Sequence, residues 1–291
     1  MTAEAEQRMR DEFGAAKRAW LLVVALQGLW LLAVVVSEFV TPPASPFVLL
    51  LTAAALPVAL SFFRQRADGH YRVAERRRRA LRLNKGLGVV PSASQRAELA
   101  AASTAKRGDE PVPLGDYYSS ERDLGPDRLA HLVQEETFYT RDLALRASAL
   151  ALAGVVVVMG AAILTMYGAL HLVASDYVQG EASGRLANAC LAIVGLGVSG
   201  TLLDLRRSYA ELADAASSAY EHVKVLADRG NCSLVELLPV LSSYDCALAA
   251  SAPIPTIVYR INRARLDAAW RAAHLSQSGT SSPSGVLPHA D

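Results

Sequence analysis

The side chains best suited to gripping an anion are the consecutive Arg76, Arg77, Arg78 and Arg79. Guanidinium groups meet phosphate oxygens through paired N–H donors, so the run is a candidate site for a phosphate or nucleotide. It also follows closely on a long charge-free stretch, and a basic cluster in that position reads first as a contact with anionic lipid and an anchor of topology. The densest polar and aromatic cluster is Gln134-Glu135-Glu136 with Phe138, Tyr139, Thr140 and Arg141. Glu135 and Glu136 are sequence neighbours and point about 100° apart on a helix, which suits an exposed or partner-binding face better than joint acid–base work. With Tyr117 and Tyr118, the four arginines and two glutamates are the residues expected to receive a ligand or partner.

Gly195-Leu196-Gly197-Val198-Ser199-Gly200 satisfies G-x-G-x-x-G, the glycine pattern of dinucleotide sites. That chemistry needs strand–helix repeats and an acidic residue about 20 positions on. The residues that follow keep a helical period instead, and the glycines lie inside an apolar stretch. Small residues that let membrane helices approach closely are the better account, for Gly195, Gly197 and Gly200 and for Gly154 and Gly160 alike. Gln27 and Asn188, two of the few polar groups in apolar surroundings, either line a pore or bond between helices, with the second favoured. No G-x-S-x-G, P-loop, H-E-x-x-H or nucleophile triad occurs, and no Cys or His spacing suits zinc. No catalytic residue, metal or cofactor is expected, so the reading is non-enzymatic.

The elements that position these groups follow from how charge is spread. Of 291 residues 52% are hydrophobic and 20% charged, yet four stretches carry no Asp, Glu, Lys or Arg: 19–37, 47–63, 147–175 and 186–203. About 20 apolar helical residues cross a hydrocarbon core of roughly 30 Å, so each is read as a transmembrane helix. Basic residues resist translocation. Arg8, Arg10, Lys17 and Arg18 precede the first stretch, Arg64, Arg66, Arg72 and 76–79 follow the second, Arg146 precedes the third, and Arg206 and Arg207 follow the fourth. The two remaining loops contain one basic residue, Arg185. Both termini and the central segment are therefore expected in the cytoplasm. A retained anchor fits the first stretch better than a secretory signal, because its apolar run is long and no small-x-small cleavage site follows. The net charge of +1 and the distributed arginines give no reason to expect direct nucleic-acid binding.

The fold expected is an all-α integral membrane protein. It comprises a transmembrane hairpin over 1–63, a cytoplasmic basic helix, connector and amphipathic helix over 64–146, a second hairpin over 147–203, a cytoplasmic helical region over 204–275 and a disordered Ser/Gly/Pro tail over 276–291. Pro57 lies inside the second span. Gly86 and Gly88 should end the basic helix, Gly230 the helix leaving the fourth span. A short helix is expected at 94–102. Leu129, Leu132, Val133, Thr137, Phe138, Leu143 and Leu145 give one apolar stripe, and Leu205, Tyr209, Leu212, Ala216, Tyr220 and Val223 another. Ser233 and Glu236 have the spacing of a capping box. Cys190, Cys232 and Cys246 are an odd set, and the last two face a reducing compartment, so free thiols are expected. The same placement leaves the sequon Asn231-Cys232-Ser233 unmodified.

Several local patterns resemble the SMODS-associated four-transmembrane effectors of bacterial antiviral systems, and more loosely the two-span SLATT-type proteins. They are Glu75-Arg76-Arg77-Arg78-Arg79 after the second span, the Gly86-Leu87-Gly88 break, Asp116-Tyr117-Tyr118-Ser119-Ser120, and Gly125-Pro126-Asp127-Arg128-Leu129. Gln134-Glu135-Glu136-Thr137-Phe138-Tyr139-Thr140 and the closing Ala252-Pro253-Ile254-Pro255-Thr256-Ile257-Val258-Tyr259-Arg260 with Trp270 complete the set. The resemblance implies a bacterial inner-membrane effector. It would be encoded beside a nucleotide-signal synthase or phage sensor, respond to a cyclic nucleotide or a cognate sensor protein, and on activation form a homo-oligomer that breaches the membrane. A membrane scaffold that recruits a soluble partner through its cytoplasmic helices, and conducts nothing, is the competing expectation.

Overall fold

The computed structural model describes residues 2–37, 46–103, 120, 122–174, 181–230 and 232–278. Seven α-helices and no strand occur among them: α1 (Thr2–Ser37), α2 (Pro46–Leu87), α3 (Ala93–Ala101), α4 (Pro126–Ala174), α5 (Glu181–Asp228), α6 (Leu234–Ala250) and α7 (Thr256–Ser278). The all-helical expectation holds. The G-x-G-x-x-G segment lies within α5, which rules out the strand a dinucleotide unit needs.

Each of the four long helices has a polar half and a charge-free half. The order is polar then apolar in α1 and α4, apolar then polar in α2 and α5. α1 packs along α2, and α4 along α5. The large exposed hydrophobics of the apolar halves include Leu21, Leu29, Val58, Phe62, Val156, Val157 and Ile163. Among the described residues one stretch, Pro126–Ile163, is long and apolar enough to cross a membrane by length and composition. The other three charge-free runs extend into positions whose side chains lie outside the described set.

The polar halves build the packed part of the molecule. Leu129 and Val133 of α4 meet Val223 of α5 and Leu237 and Leu241 of α6 in one core cluster. Leu212, Ala213, Ala216 and Ala219 of α5 meet Tyr244 and Leu248 in another. A third joins Trp20 and Val23 of α1, Ala67 of α2, Leu143 and Ala147 of α4, Leu205 and Tyr209 of α5 and Leu266 of α7. The stripes read from the sequence are largely the buried ones, apart from Leu145, which is 53% exposed. It neighbours the fully buried Ala144, and one residue of helix rotates it off that face.

Helix ends follow the backbone chemistry. Gly88 and Gly230 have φ of 71°, where a side chain would be strained, just beyond the ends of α2 and α5. At Gly86 the reason differs. An ideal Cβ there would stand 2.9 Å from Leu129 Cδ1 and 3.0 Å from Leu129 Cα, while the Gly125 N–H donates to the Gly86 carbonyl at 2.9 Å. Glycine thus lets the end of α2 touch the start of α4. The Ser233–Glu236 capping box does not form: Ser233 caps α6 through its backbone alone, and Glu236 turns to Arg229 at 3.7 Å. The capping box that does form starts α3, between Ser92 and Gln95. α7 continues to Ser278, past the boundary expected at 275.

Candidate functional site

Helix geometry splits the arginine run. Arg76 is exposed, Arg77 and Arg79 are half-buried, and Arg78 turns inward. Residues three and four apart share a face, so Glu75, Arg78 and Arg82 line up on the buried side of α2. Their exposures are 2%, 8% and 2%. Arg78 Nη2 stands 3.0 Å from both Glu75 Oε2 and Glu136 Oε1 of α4. Arg82 Nη1 donates to the two Glu136 oxygens at 3.2 and 3.3 Å, while its Nη2 donates to both Asp245 oxygens of α6 at 2.8 and 2.7 Å. Arg79 adds a 3.4 Å pairing with Asp245 and donates to that residue's carbonyl. Three guanidinium groups and three carboxylates thus balance in one buried network that ties α2, α4 and α6.

Burying charge is costly unless each ion is paired and hydrogen-bonded. The cost shows at Glu75, whose pKa is raised chiefly by burial and further by Glu136, with Arg78 pulling it back. Tyr244, fully buried beside the network, is pushed well up by burial and by the Glu136 charge, and its hydroxyl donates to Thr140 Oγ1 at 2.9 Å. Glu136 is therefore an internal tie, not the exposed or partner-binding group expected of its cluster. Its neighbour Glu135 is half-buried.

A second polar knot joins α1 to α2 and to the end of α3. Glu12, fully buried, meets His70 Nδ1 at 2.7 Å and accepts from Ser103 Oγ at 2.6 Å. Lys85 Nζ lies 2.6 Å from Glu6 Oε1. Glu12, His70, Arg82 and Asp245 were not among the sequence candidates. The one local signal was placement of polar residues at core spacing on α1 and α2, and their partners are far away in sequence.

Arg77 faces a different way, into a groove of about 280 Å³ between α1, α2 and α3 lined by Arg8, Arg77, Asn84, Arg96 and Leu99. Its Nη2 donates to the Leu99 carbonyl at 2.5 Å, and among the described residues its buried Nε has no hydrogen-bond partner. Burial lowers its pKa, the Arg8 charge lowers it further, and Glu12 opposes both. Arg8 is held at 2.9 Å by Glu4. Three guanidinium groups against the one carboxylate of Glu4 leave the groove an excess of positive charge that suits a phosphate.

The remaining candidates separate clearly. Gln27 Nε2 donates to Thr201 Oγ1 at 3.3 Å, the interhelical bond favoured from sequence. A Cβ on Gly154 would meet Leu202 Cδ1 at 3.2 Å, so this glycine sits at a close α4–α5 approach. Among the described residues, Gly160, Gly197 and Gly200 have nothing within 4 Å of such a Cβ. The surroundings of Asn188 and Gly195, and both Tyr117 and Tyr118, lie outside the described residues. Cys232 is buried and Cys246 exposed, both as free thiols. Among the described residues no group of three His, Cys, Asp or Glu is placed to hold a metal ion.

No family model, no curated protein and no solved structure matches the chain.

Proposed function

We propose that the chain is a non-enzymatic effector of bacterial antiviral defence. It crosses the inner membrane four times, keeps its termini and charged module in the cytoplasm, and on activation oligomerises and permeabilises the bilayer. The observation that carries this reading is the continuity of α2 and α4 from charge-free halves with outward-facing apolar side chains into polar halves locked by the Arg78–Arg82–Glu136–Asp245 network, with α5 packed along α4. Such a surface is unfavourable in water and favourable in lipid. A continuous helix carries a rearrangement of the clamped module into the bilayer as a shift or rotation. Arginine asymmetry supports the orientation. The resemblance to four-span antiviral effectors supports the class, and the Arg8–Arg77–Arg96 groove is the best-fitted place for the phosphate of a cyclic-nucleotide signal.

Induced expression with a membrane-potential dye tests the proposal. Activated protein should collapse the potential, and an R8A/R77A/R96A variant that still inserts should not. Intact potential under full activation would refute permeabilisation. The scaffold reading draws on Val235, 78% exposed on α6, and Ile261, 71% exposed on α7, which lie outside the charge-free runs. A stoichiometric soluble partner with no permeability change would favour it.

A further inference from the structure

A cavity of about 440 Å³ opens where the apolar halves give way to the polar module, bounded by α1, α2, α5 and the residues leading from α6 to α7. Its level is fixed by its lining. Trp20 stands at the start of the first charge-free run, Arg64 directly follows the second, and Asp204 directly follows the fourth. Arg72, about two helical turns beyond Arg64, and Asp68 between them complete the charged wall.

Three observations point to a ligand. First, the cavity holds two guanidinium groups and two carboxylates, with Arg64, Arg72 and Asp204 at exposed positions and Asp68 half-buried, and among the described residues none of the four makes an ion pair within 4 Å. The Asp68 carboxyl is raised by burial, with Arg64 and Arg72 pulling it down from a distance. Second, the Arg64 guanidinium carbon lies 5.4 Å from the Trp20 ring centroid, a cation–π contact that holds this charge at the cavity wall. Third, Trp20 is 8% exposed, yet among the described residues its buried indole N–H has no acceptor. A buried donor left in this way is costly.

We infer that this cavity binds a zwitterionic phosphate–ammonium group, with the phosphate toward Arg64 and Arg72 and the ammonium toward Asp68 and Asp204. Charge balance selects this chemistry. A phosphate alone would leave two carboxylates uncompensated in the same space, and an ammonium alone would leave two guanidinium groups. The volume lies within the roughly 300–1,000 Å³ of small-molecule sites. Leu21, next to Trp20, and Phe62, two residues before Arg64, are 63% and 60% exposed and continue outward as an apolar surface on which acyl chains can lie. A zwitterionic phospholipid at the membrane surface and a free phosphoethanolamine-type solute share the recognised group.

The inference rests on the membrane placement proposed above, so its test begins by separating the two. Recovery of the full chain in the soluble fraction without detergent would overturn both. Recovery in membranes permits the test proper, thermal unfolding in nanodiscs of phosphatidylethanolamine mixed with phosphatidylglycerol against phosphatidylglycerol alone. A site occupied at about 100 times its Kd should raise Tm by roughly 5–10 °C in the mixed discs. Arg72→Gln and Asp204→Asn, both at exposed side chains, should each abolish most of that difference. Equal Tm in the two lipids, or a difference that survives both substitutions, would overturn the inference with membrane placement intact. In detergent, stabilisation of the wild type by glycerophosphoethanolamine would identify the free solute as a sufficient ligand. Its absence alongside a nanodisc preference would assign the site to intact lipid.

Discussion

Replacing Arg82 by methionine removes the guanidinium that joins α4 to α6 through α2 while keeping much of the aliphatic stem that fills the core. Wild-type protein has three cations, the half-buried Arg79 among them, facing three anions. Arg82→Met leaves Glu136 with Arg78 and Asp245 with the more distant Arg79, and an uncompensated negative charge remains. Removing one partner of a buried pair costs about 3–5 kcal/mol. For a domain of this size each kcal/mol moves Tm by about 2–4 °C, which gives a fall of roughly 6–20 °C. Thermal unfolding of the detergent-purified chain, followed by intrinsic tryptophan fluorescence, reads this directly. Two companions sharpen it. Arg76→Ala, at an exposed position of the same basic run, should change stability by less than about 0.5 kcal/mol. Arg82→Met with Glu136→Gln restores a balance of two against two and should recover about 0.5–3 kcal/mol relative to the sum of the single changes. An Arg82→Met protein within about 4 °C of wild type, or strict additivity in the double variant, would refute the claim that these charges act as a closed network.

Other expected outcomes follow from individual contacts. Gly86→Ala places a methyl group against the Leu129 side chain and backbone and should cost about 1–3 kcal/mol. Gly28→Ala, with nothing within 4 Å among the described residues, should not destabilise when both are unfolded in parallel. Ser103→Ala removes a 2.6 Å bond to the buried Glu12 carboxylate and should cost about 1.5–3 kcal/mol in the same assay. At Asp142 partial burial raises the pKa, but the bonds from Arg265 and Arg146 outweigh it and the net shift is downward. A lowered carboxyl contributes stability above its unfolded pKa of about 4 and loses it as pH falls through the folded value. Asp142→Asn should therefore lower Tm at neutral pH, with the difference shrinking toward strongly acid pH; a gap that widens on acidification would contradict the Arg265 tie between α4 and α7.

Local chemistry alone determined a large part of this architecture. Period and composition were enough for the all-helical class, because apolar spacing near 3.6 needs no distant partner to be visible. The end of α2 at Gly88 and of α5 at Gly230 was legible for the same reason: backbone freedom belongs to the residue itself. The four charge-free runs, and the exposed apolar side chains later found within them, were also written in the chain. Capping was less secure. The Ser233–Glu236 spacing was present, but Glu236 found Arg229 instead, since a cap competes with every other partner within reach.

What tertiary structure decided was the direction and company of the charges. Four arginines in a row look equivalent in sequence, yet each helical step turns a side chain by about 100°, so Arg76 meets solvent, Arg77 a groove and Arg78 the core. Which side becomes core depends on what packs there, and Glu136 and Asp245 arrive from helices far along the chain. Glu136 changed from an expected outward-facing group to an internal tie for that reason. The interfacial cavity is likewise a product of assembly: Trp20, Arg64, Arg72 and Asp204 share no motif, and only the packing of three helices brings their charges around one space.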